Sequence, residues 1–360
     1  CRQRAVPGAR WAGAGGSAAA MAPDASDTEE LEPSPAAADA EEIGPSAEEG
    51  LRGVAFRRVA SKDDAAVNDF RNLKDKDWAR KNVGLFVVEG EMCVRNLLMH
   101  GRFPVHLVLL SERRAAALGD ALRTAPCVTS ATSVLVAPQP VLDSIVGFDF
   151  SRGVLAIGRR QQLAASAAEV FEVLTPSPSP SQPSSLPKPQ LLGDACRVVM
   201  AEHIGNLDNV GGLFRNAAAL GASAVLFDGK SADPLYRKAL RVSGGHVLAM
   251  PWCRAGTGPE LVRAAQAAGF AVAALTPAKD AVDIRNWWPR PRRVAVLVGA
   301  EGPGLEPETQ ALADVRLRVP MATNVDSLNV ATAAAVALSE LRPDRRRPGG
   351  CDCWQGCRVS

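Results

Sequence analysis

Asn209-Val210-Gly211-Gly212-Leu213-Phe214-Arg215 decides the fold, because it follows directly on an apolar run at 197–203 and reads as the opening of a helix. Two later segments repeat the same junction. Gly299-Ala300-Glu301-Gly302-Pro303-Gly304-Leu305 follows the apolar run 294–298. Val319-Pro320-Met321 closes the run 315–319 and leads through Ser327-Leu328-Asn329-Val330-Ala331 into a last helical stretch. Each segment joins a strand end to a turn or a helix start. In an open α/β sheet the ends of the strands are where ligands bind.

Outward from these segments the pattern is a regular alternation. Strands are expected at 197–203, 224–227, 247–251, 271–275, 294–298 and 315–319, and helices at 210–220, 234–242, 259–268, 307–313 and 328–341. Short apolar strands between helices of about ten residues imply a mostly parallel sheet covered on both faces. A second α/β pattern precedes it, with a charged helical stretch at 64–76, helices at 92–99 and 113–123, and strands at 85–88, 105–110, 134–136 and 153–157. Between the two lies a Pro- and Ser-rich run at 175–190, which resists helix and sheet and reads as a semi-rigid linker. The expected organisation is a disordered extension at 1–50, a first α/β domain at 51–174, the linker, a second α/β domain at 191–342 and a frayed tail at 343–360.

Composition bounds the partners. Hydrophobic residues make up 47% of the 360-residue chain, enough for a sizeable core. No apolar run approaches the roughly 20 residues that span a bilayer, so no membrane partner is expected. Residues 21–50 hold ten acidic residues and no Lys or Arg. Setting these and the three arginines of residues 1–20 against the whole-chain charge of +2 leaves +9 for residues 51–360, a surplus that suits a polyanion. The first 23 residues are poor in acids and contain Arg and Ser, as in a transit peptide, which leans toward an organelle, mitochondrion or plastid. A start at Met21 would put the acidic stretch first and favour the cytoplasm. Four of the eight cysteines, Cys93, Cys127, Cys196 and Cys253, stand alone in apolar surroundings and read as buried thiols. Cys351, Cys353 and Cys357 lack the His or second pair that would complete a metal site.

The residues of the three segments have readable chemistry. Asp208 or Asn209 can cap the helix that follows, and Val210, Phe214, Ala217 and Gly221 form one stripe to pack on the sheet. Arg215 lies off that stripe and leans back over Gly211 and Gly212, which are expected to admit a ligand to the backbone. Glu301, in a Gly-rich turn, can accept hydrogen bonds. Ser327 can cap the last helix, Asn329 sits in its first turn, and the alanines from 331 to 337 give it a slim surface for close packing.

In order and spacing these segments resemble the three motifs of the SpoU/TrmH-like methyltransferases of the SPOUT superfamily. The resemblance implies a mostly parallel α/β sheet ending in a C-terminal trefoil knot. It also implies a small α/β substrate-binding domain, resembling a ribosomal protein, on the matching pieces Phe86-Val87-Val88-Glu89-Gly90 and Gly153-Val154-Leu155-Ala156-Ile157. The implied activity is transfer of a methyl group from S-adenosylmethionine to a ribose 2'-hydroxyl of RNA, ribosomal RNA ahead of transfer RNA, by a homodimer. The implied catalytic set is Arg215, Asn209, Glu301, Ser327 and Asn329. The implied cofactor contacts are Leu275, Thr276, Gly299, Gly304, Val319, Met321 and Leu328. Arg241-Val242-Ser243-Gly244-Gly245 resembles a further family segment and is a candidate RNA or phosphate contact. A guanidinium does not readily accept a proton, so holding a phosphate and stabilising a developing alkoxide suits Arg215 better than general-base chemistry. The rival readings are an RNA-binding protein that has lost turnover on the same fold, and a nucleotide-dependent enzyme on an ordinary doubly wound sheet.

Overall fold

The computed structural model describes residues 47–71, 73, 82–147, 150–161, 163–175 and 195–342. The transit-like stretch, nearly all of the linker and the tail with Cys351, Cys353 and Cys357 lie outside the described residues. The last residues of the expected disordered extension are instead structured. Ala47–Gly50 is a helical turn (α1) with Ala47 buried, followed by a buried Leu51.

Two sheets organise the chain. The first takes its five strands in the order β1 (Arg57–Arg58), β4 (Ser133–Ala137), β3 (Val105–Ser111), β5 (Val154–Arg159), β2 (Leu85–Glu89). β1, β4 and β3 run parallel, while β5 is antiparallel to both β3 and β2. Side chains alternate across a strand, and the alternation here separates two cores. Val87, Leu107, Leu109, Leu135, Leu155 and Ile157 face a satellite core shared with Phe70 and with helix α4 (Gln139–Val146). Phe86, Val88, Val108, Leu110, Val134 and Ala156 face the other way, toward α2 (Glu91–His100) and α3 (Glu112–Thr124). The expected helix at 64–76 is a 3-10 turn over Ala65–Phe70 capped by Asp64; residues 72 and 74–76 are outside the described set.

The second sheet is parallel throughout. Its seven strands run in the order β10 (Val282–Asp283), β12 (Val315–Arg318), β9 (Ala271–Leu275), β11 (Arg293–Val298), β6 (Cys196–Ala201), β7 (Ala224–Phe227), β8 (Trp252–Arg254). β6 and β7 are buried at every position, as expected of a parallel sheet covered on both faces. One helix group joins α6 (Leu207–Ala219), α7 (Arg237–Val242) and α10 (Val330–Glu340); another joins α5 (Ala167–Leu174), α8 (Gly258–Ala267) and α9 (Pro307–Leu312). Arg197 leaves β6 to bond the carbonyl ends of two helices, Leu338 at 2.6 Å and Leu220 at 2.9 Å.

The structure corrects several sequence expectations. The run 247–251 is not a strand. His246–Leu248 forms a 3-10 turn and the strand begins at Trp252, so the short apolar run was ambiguous in period. Helix α6 is capped by Asn206, which accepts from the Asp208 amide at 2.9 Å, and not by Asp208 or Asn209. Gly211 and Gly212 are not open to a ligand. A β-carbon on Gly211 would meet Ala239 O and Val242 Cβ of α7 at 2.7 Å, and one on Gly212 would meet Ala331 Cβ of α10 at 2.9 Å. The glycines exist so that three helices can close on one another.

The two sheets are also not separate cores. One continuous apolar cluster runs from Phe86 and Leu97 through Leu240 and Val247 to Leu297. Of the candidate RNA contact at 241–245, the residues Ser243, Gly244 and Gly245 form a buried turn inside this joint, while Arg241 is exposed. Asn96 Nδ2 donates to Gly244 O at 3.0 Å, and a β-carbon on Gly245 would lie 2.9 Å from Cys93 Cα. Glu89, paired with Arg152 at 3.2 Å on its own side, reaches Arg237 across the joint at 3.7 Å, and Arg160 meets Asp233 across it at 2.6 Å. Helix α5, on the first-sheet side of the linker, packs Phe171 on Phe270 of the second layer with centroids 5.0 Å apart. Cys93, Cys127, Cys196 and Cys253 are buried free thiols; burial pushes Cys93 up to about 11 and Cys253 up to about 12. Among the described residues no helix is long and apolar enough to cross a membrane.

Because α7 seats on Gly211, Gly211→Ala is expected to destabilise the protein. Overpacking at about 1–3 kcal/mol outweighs a helix-propensity gain of up to about 1 kcal/mol. Urea unfolding should show a net loss of about 1–2 kcal/mol, while Gly205→Ala, where a β-carbon meets nothing within 4 Å, should stay within about 0.5 kcal/mol.

Candidate active site

All strands of the second sheet point the same way, so their C-terminal ends gather on one edge. There a cleft of about 420 Å³ opens between the ends of β9, β11 and β12. Its walls include Leu275, Thr276 and Pro277 at the end of β9, Val298 to Gly302 with Gly304 at the end of β11, and Val319, Met321 and Ser327 to Val330 on the way into α10. Every expected cofactor contact, Leu275, Thr276, Gly299, Gly304, Val319, Met321 and Leu328, lines it, as do Glu301, Ser327 and Asn329.

The loop 299–304 is a tight backbone turn. Gly304 N donates to Ala300 O at 3.0 Å, and Gly302 and Gly304 hold φ of 90° and 77°, a region that favours glycine. Gly299 has a structural purpose besides lining the cleft. A β-carbon there would strike the backbone of Gly304 and Leu305, so the residue lets the loop close on itself and does not merely clear a path for a ligand.

One hydrogen-bonded cluster ties the three segments together. Asn209 Nδ2 donates to Glu301 Oε1 at 2.7 Å, Asn329 Nδ2 donates to Asn209 Oδ1 at 2.8 Å, and the same Asn329 amide lies 3.2 Å from Glu301 Oε1. Asn209 is 4% exposed, in the first turn of α6. Asn329 is also the cap of α10, its Oδ1 accepting from Ala331 and Thr332 at 3.0 and 3.2 Å. Ser327, the cap expected from sequence, instead stands exposed on the cleft wall. Asn209 does not line the cleft; it acts through Glu301 and Asn329, behind the wall.

Arg215 stands apart from the cleft. It is exposed on α6 and makes no hydrogen bond or ion pair among the described residues. Its charge falls on His246, which burial first and Arg215 second hold below the usual imidazole range.

Two supports escaped sequence reading. Glu202, just past β6, is buried and accepts from Glu306 N at 2.9 Å and Thr309 Oγ1 at 2.6 Å, which anchors the segment after the glycine loop. His203 holds a left-handed φ of 57°, its amide 3.0 Å from Asp228 Oδ1 and its ring 3.1 Å from Asp228 Oδ2. The only sequence signal was an acid directly after an apolar strand. The acceptor pattern needs α9, about 100 residues downstream.

Comparison with known proteins gives a consistent picture. Residues 197–339 match the model of the SpoU rRNA Methylase family. The chain is 36% identical over 296 residues to an uncharacterised tRNA/rRNA methyltransferase of Mycobacterium bovis, covering 80% of this chain and 92% of that protein. It is 30% identical over 288 residues to the 23S rRNA (guanosine(2553)-2'-O)-methyltransferase of Bacillus subtilis, covering 77% and 98%. In fold it is similar to the AdoMet-bound rRNA methyltransferase of Sinorhizobium meliloti, with a TM-score of 0.62 at 24% identity over 80% of this chain and 97% of that one.

Glu301 accepts from two amides, so Glu301→Ala takes the acceptor from the buried Asn209 amide, while the exposed Asn329 keeps Asn209 Oδ1. The expected loss is about 1–3 kcal/mol in chemical unfolding. Glu301→Gln keeps an acceptor and should lose less. Equal losses in the two variants would show that the carboxylate oxygen does not hold the cluster.

Proposed function

The chain belongs to the SpoU family of RNA methyltransferases, and we propose that it transfers a methyl group from S-adenosylmethionine to a ribose 2'-hydroxyl of ribosomal RNA. The observation that carries this reading is the convergence of three remote segments on one cleft at the C-terminal edge of the parallel sheet. Support for ribosomal RNA and for the ribose position comes from the Bacillus subtilis relative, of which the chain spans 98%.

The cleft suits the donor. Its volume of about 420 Å³ falls within the usual range for small-molecule sites. Leu275, Val319, Met321, Leu328 and Ala333 supply apolar wall, and the backbone of Thr276 and of the 299–304 turn supplies polar groups at fixed positions. Glu301 brings a carboxylate to a site that would hold a cationic sulfonium. S-adenosylmethionine, when bound, supplies an activated methyl group that needs no metal.

The chain's own residues then align and stabilise. Asn209 and Asn329 hold Glu301 in one orientation. Arg215 grips the RNA beside the reacting ribose and stabilises the oxygen as it takes the methyl group from sulfur and gives up its proton to water. Because Arg215 lies outside the cleft, RNA or a second copy of the chain must bring the two together. This favours a homodimer with paired catalytic sheets. The return of α10 onto α6 after β12, fastened by Arg197 and by Asn216 Nδ2 on Ala331 O at 2.8 Å, favours the trefoil knot.

Arg215→Ala is expected to lower single-turnover methylation about a hundredfold or more while leaving S-adenosylmethionine affinity unchanged. Arg215→Lys should recover little, since an ammonium lacks the planar fork. Titration calorimetry and single-turnover rates on the same preparations read both quantities. Lost donor affinity with an intact chemical step would instead put Arg215 in the donor site.

Donor choice is checked separately. Calorimetry should show S-adenosylmethionine binding and NAD not binding. The reverse result would favour a nucleotide-dependent enzyme on this sheet.

A further inference from the structure

At the outer edge of the joint the two sheets enclose a further cavity, of about 270 Å³, with walls from both. The first-sheet side supplies Arg160 and Gln161, just past β5, with Leu163 and Ala164 on the way into α5. The second-sheet side supplies Asp233 and Leu235, between β7 and α7, and Trp252 and Arg254 of β8, the edge strand. None of these residues lines the larger cleft.

The polar groups of this cavity are held in place. Arg254 Nε donates to Ser231 O at 2.5 Å and its Nη2 to Gly229 O at 3.1 Å. Two backbone carbonyls thus pin the guanidinium, and among the described residues no carboxylate neutralises it. Arg254 is exposed, so its remaining N–H groups are open to a ligand. The loop that pins it is itself fixed, since Ser231 is 1% exposed and donates through Oγ to Asp228 Oδ1 at 2.5 Å. Arg160 pairs with Asp233 at 2.6 Å and donates through Nε to Leu85 O at 3.1 Å. With two guanidiniums against one carboxylate the cavity is net cationic. Trp252 is half-buried, and its Nε1 donates to Val247 O at 2.9 Å, which fixes the indole. Gln161 donates through Nε2 to Arg102 O, which leaves its Oε1 as an acceptor.

We propose that this cavity takes one unstacked nucleotide of the RNA substrate, its base against the Trp252 indole and its phosphate on Arg254. The proposal rests on RNA being the substrate. The chemistry recognised is a nucleoside monophosphate unit. A bare anion has no use for the indole, and an apolar ligand has no use for a pinned guanidinium without a counter-charge. A nucleotide matches both, by stacking and by a charge-assisted hydrogen bond. The volume lies just below the usual range for drug-sized ligands and suits a single base. Position favours RNA over a free nucleotide. By register Arg254 pairs with Phe227, Phe227 with Ala201 and Ala201 with Val298, a residue of the larger cleft. The two sites therefore lie at one level of the sheet, on strands three spacings or about 14 Å apart. Phe214 of α6 packs on Trp252 with centroids 6.3 Å apart, so the cavity shares the sheet face of the helix that carries Arg215. An RNA strand crossing this edge meets the cleft and the cavity together.

The test uses the full chain and a single-stranded oligouridylate, with affinity measured against salt. Arg254→Met should bind about tenfold more weakly, with a salt slope shallower by about 0.7, the loss of one phosphate contact on a single strand. Trp252→Leu should also bind about tenfold more weakly but with the slope unchanged, because stacking involves no counterion release. Affinity for S-adenosylmethionine should stay the same in both. Normal RNA affinity and slope in Arg254→Met overturn the proposal. If Trp252→Leu does not fold, crosslinking of the unsubstituted protein decides. An oligouridylate carrying 4-thiouridine should crosslink to Trp252 or Gln161 under near-ultraviolet light, and crosslinks that avoid the cavity overturn the proposal. Uridine monophosphate that binds as tightly as the oligouridylate assigns a free-nucleotide site and overturns the RNA reading of the cavity. Methylation of ribosomal RNA by the unsubstituted protein is assayed in parallel. If methylation is present while both variants bind RNA normally, the cavity proposal fails and the methyltransferase reading stands. If methylation is absent while the crosslink maps to Trp252, the cavity stands as an RNA site and the failure lies in that reading.

Discussion

Two amide donors converge on one carboxylate oxygen, Glu301 Oε1, and the geometry of the cleft depends on that meeting. The donors come from Asn209, at the start of α6, and Asn329, at the start of α10. The acceptor rides on the glycine turn after β11. A carboxylate oxygen has lone pairs for both. A buried amide such as Asn209 is costly without an acceptor, so none of the three segments can shift alone. The packing behind the cluster completes the constraint. Gly211 seats α7 and Gly212 seats α10, so the helix that presents Asn209 is itself fixed on two sides.

The sheet was legible in the sequence because its signals are local. Apolar runs at 224–227, 271–275 and 294–298, bounded by Gly, Pro and polar residues, are strands whatever surrounds them, and they are strands in the structure. The cleft-lining residues were legible for a similar reason, since each sits at a strand end or in the glycine turn. What escaped depends on partners remote in the chain. Gly211 and Gly212 carry no mark saying whether a ligand or a helix approaches them; the answer lies at Ala239, Val242 and Ala331. Ser327 and Asn329 are both good caps in isolation. Asn329 takes the role because its amide nitrogen can at the same time donate toward Asn209 and Glu301. The run at 247–251 failed because five apolar residues fit a strand or a buried turn equally well, and the glycines before it decide for the turn.

The joint between the sheets follows from the same kind of remote contact. A Pro- and Ser-rich stretch in sequence suggests separable halves. The contacts between them argue otherwise: a shared apolar cluster, Asn96 on Gly244, and a buried Glu89 held between Arg152 and Arg237. Arg237 opens α7, the helix seated on Gly211. Force applied at the end of β2 therefore reaches the helix that carries Asn209 and Arg215 through one short element. Such a connection couples the first sheet to the second with the stiffness of a packed core, where a flexible tether would give only a raised local concentration.

The separation of charge in the site fits the proposed chemistry. Opposite charges about 4 Å apart gain roughly 1–4 kcal/mol between bulk water and a protein surface, and like charges lose as much. A sulfonium donor is cationic, so a guanidinium inside the cleft would oppose its binding, whereas the Glu301 carboxylate favours it. The RNA is anionic, so the same guanidinium belongs on the surface that meets the phosphates. Arg215 on the exposed flank of α6 and Glu301 on the cleft wall satisfy both demands. They also keep the guanidinium and the carboxylate of the site from pairing with each other before either ligand arrives. Asn209, neutral and buried against Glu301, can orient it without pulling its charge away from the donor. That explains why an amide, and not a lysine or arginine, stands at this position.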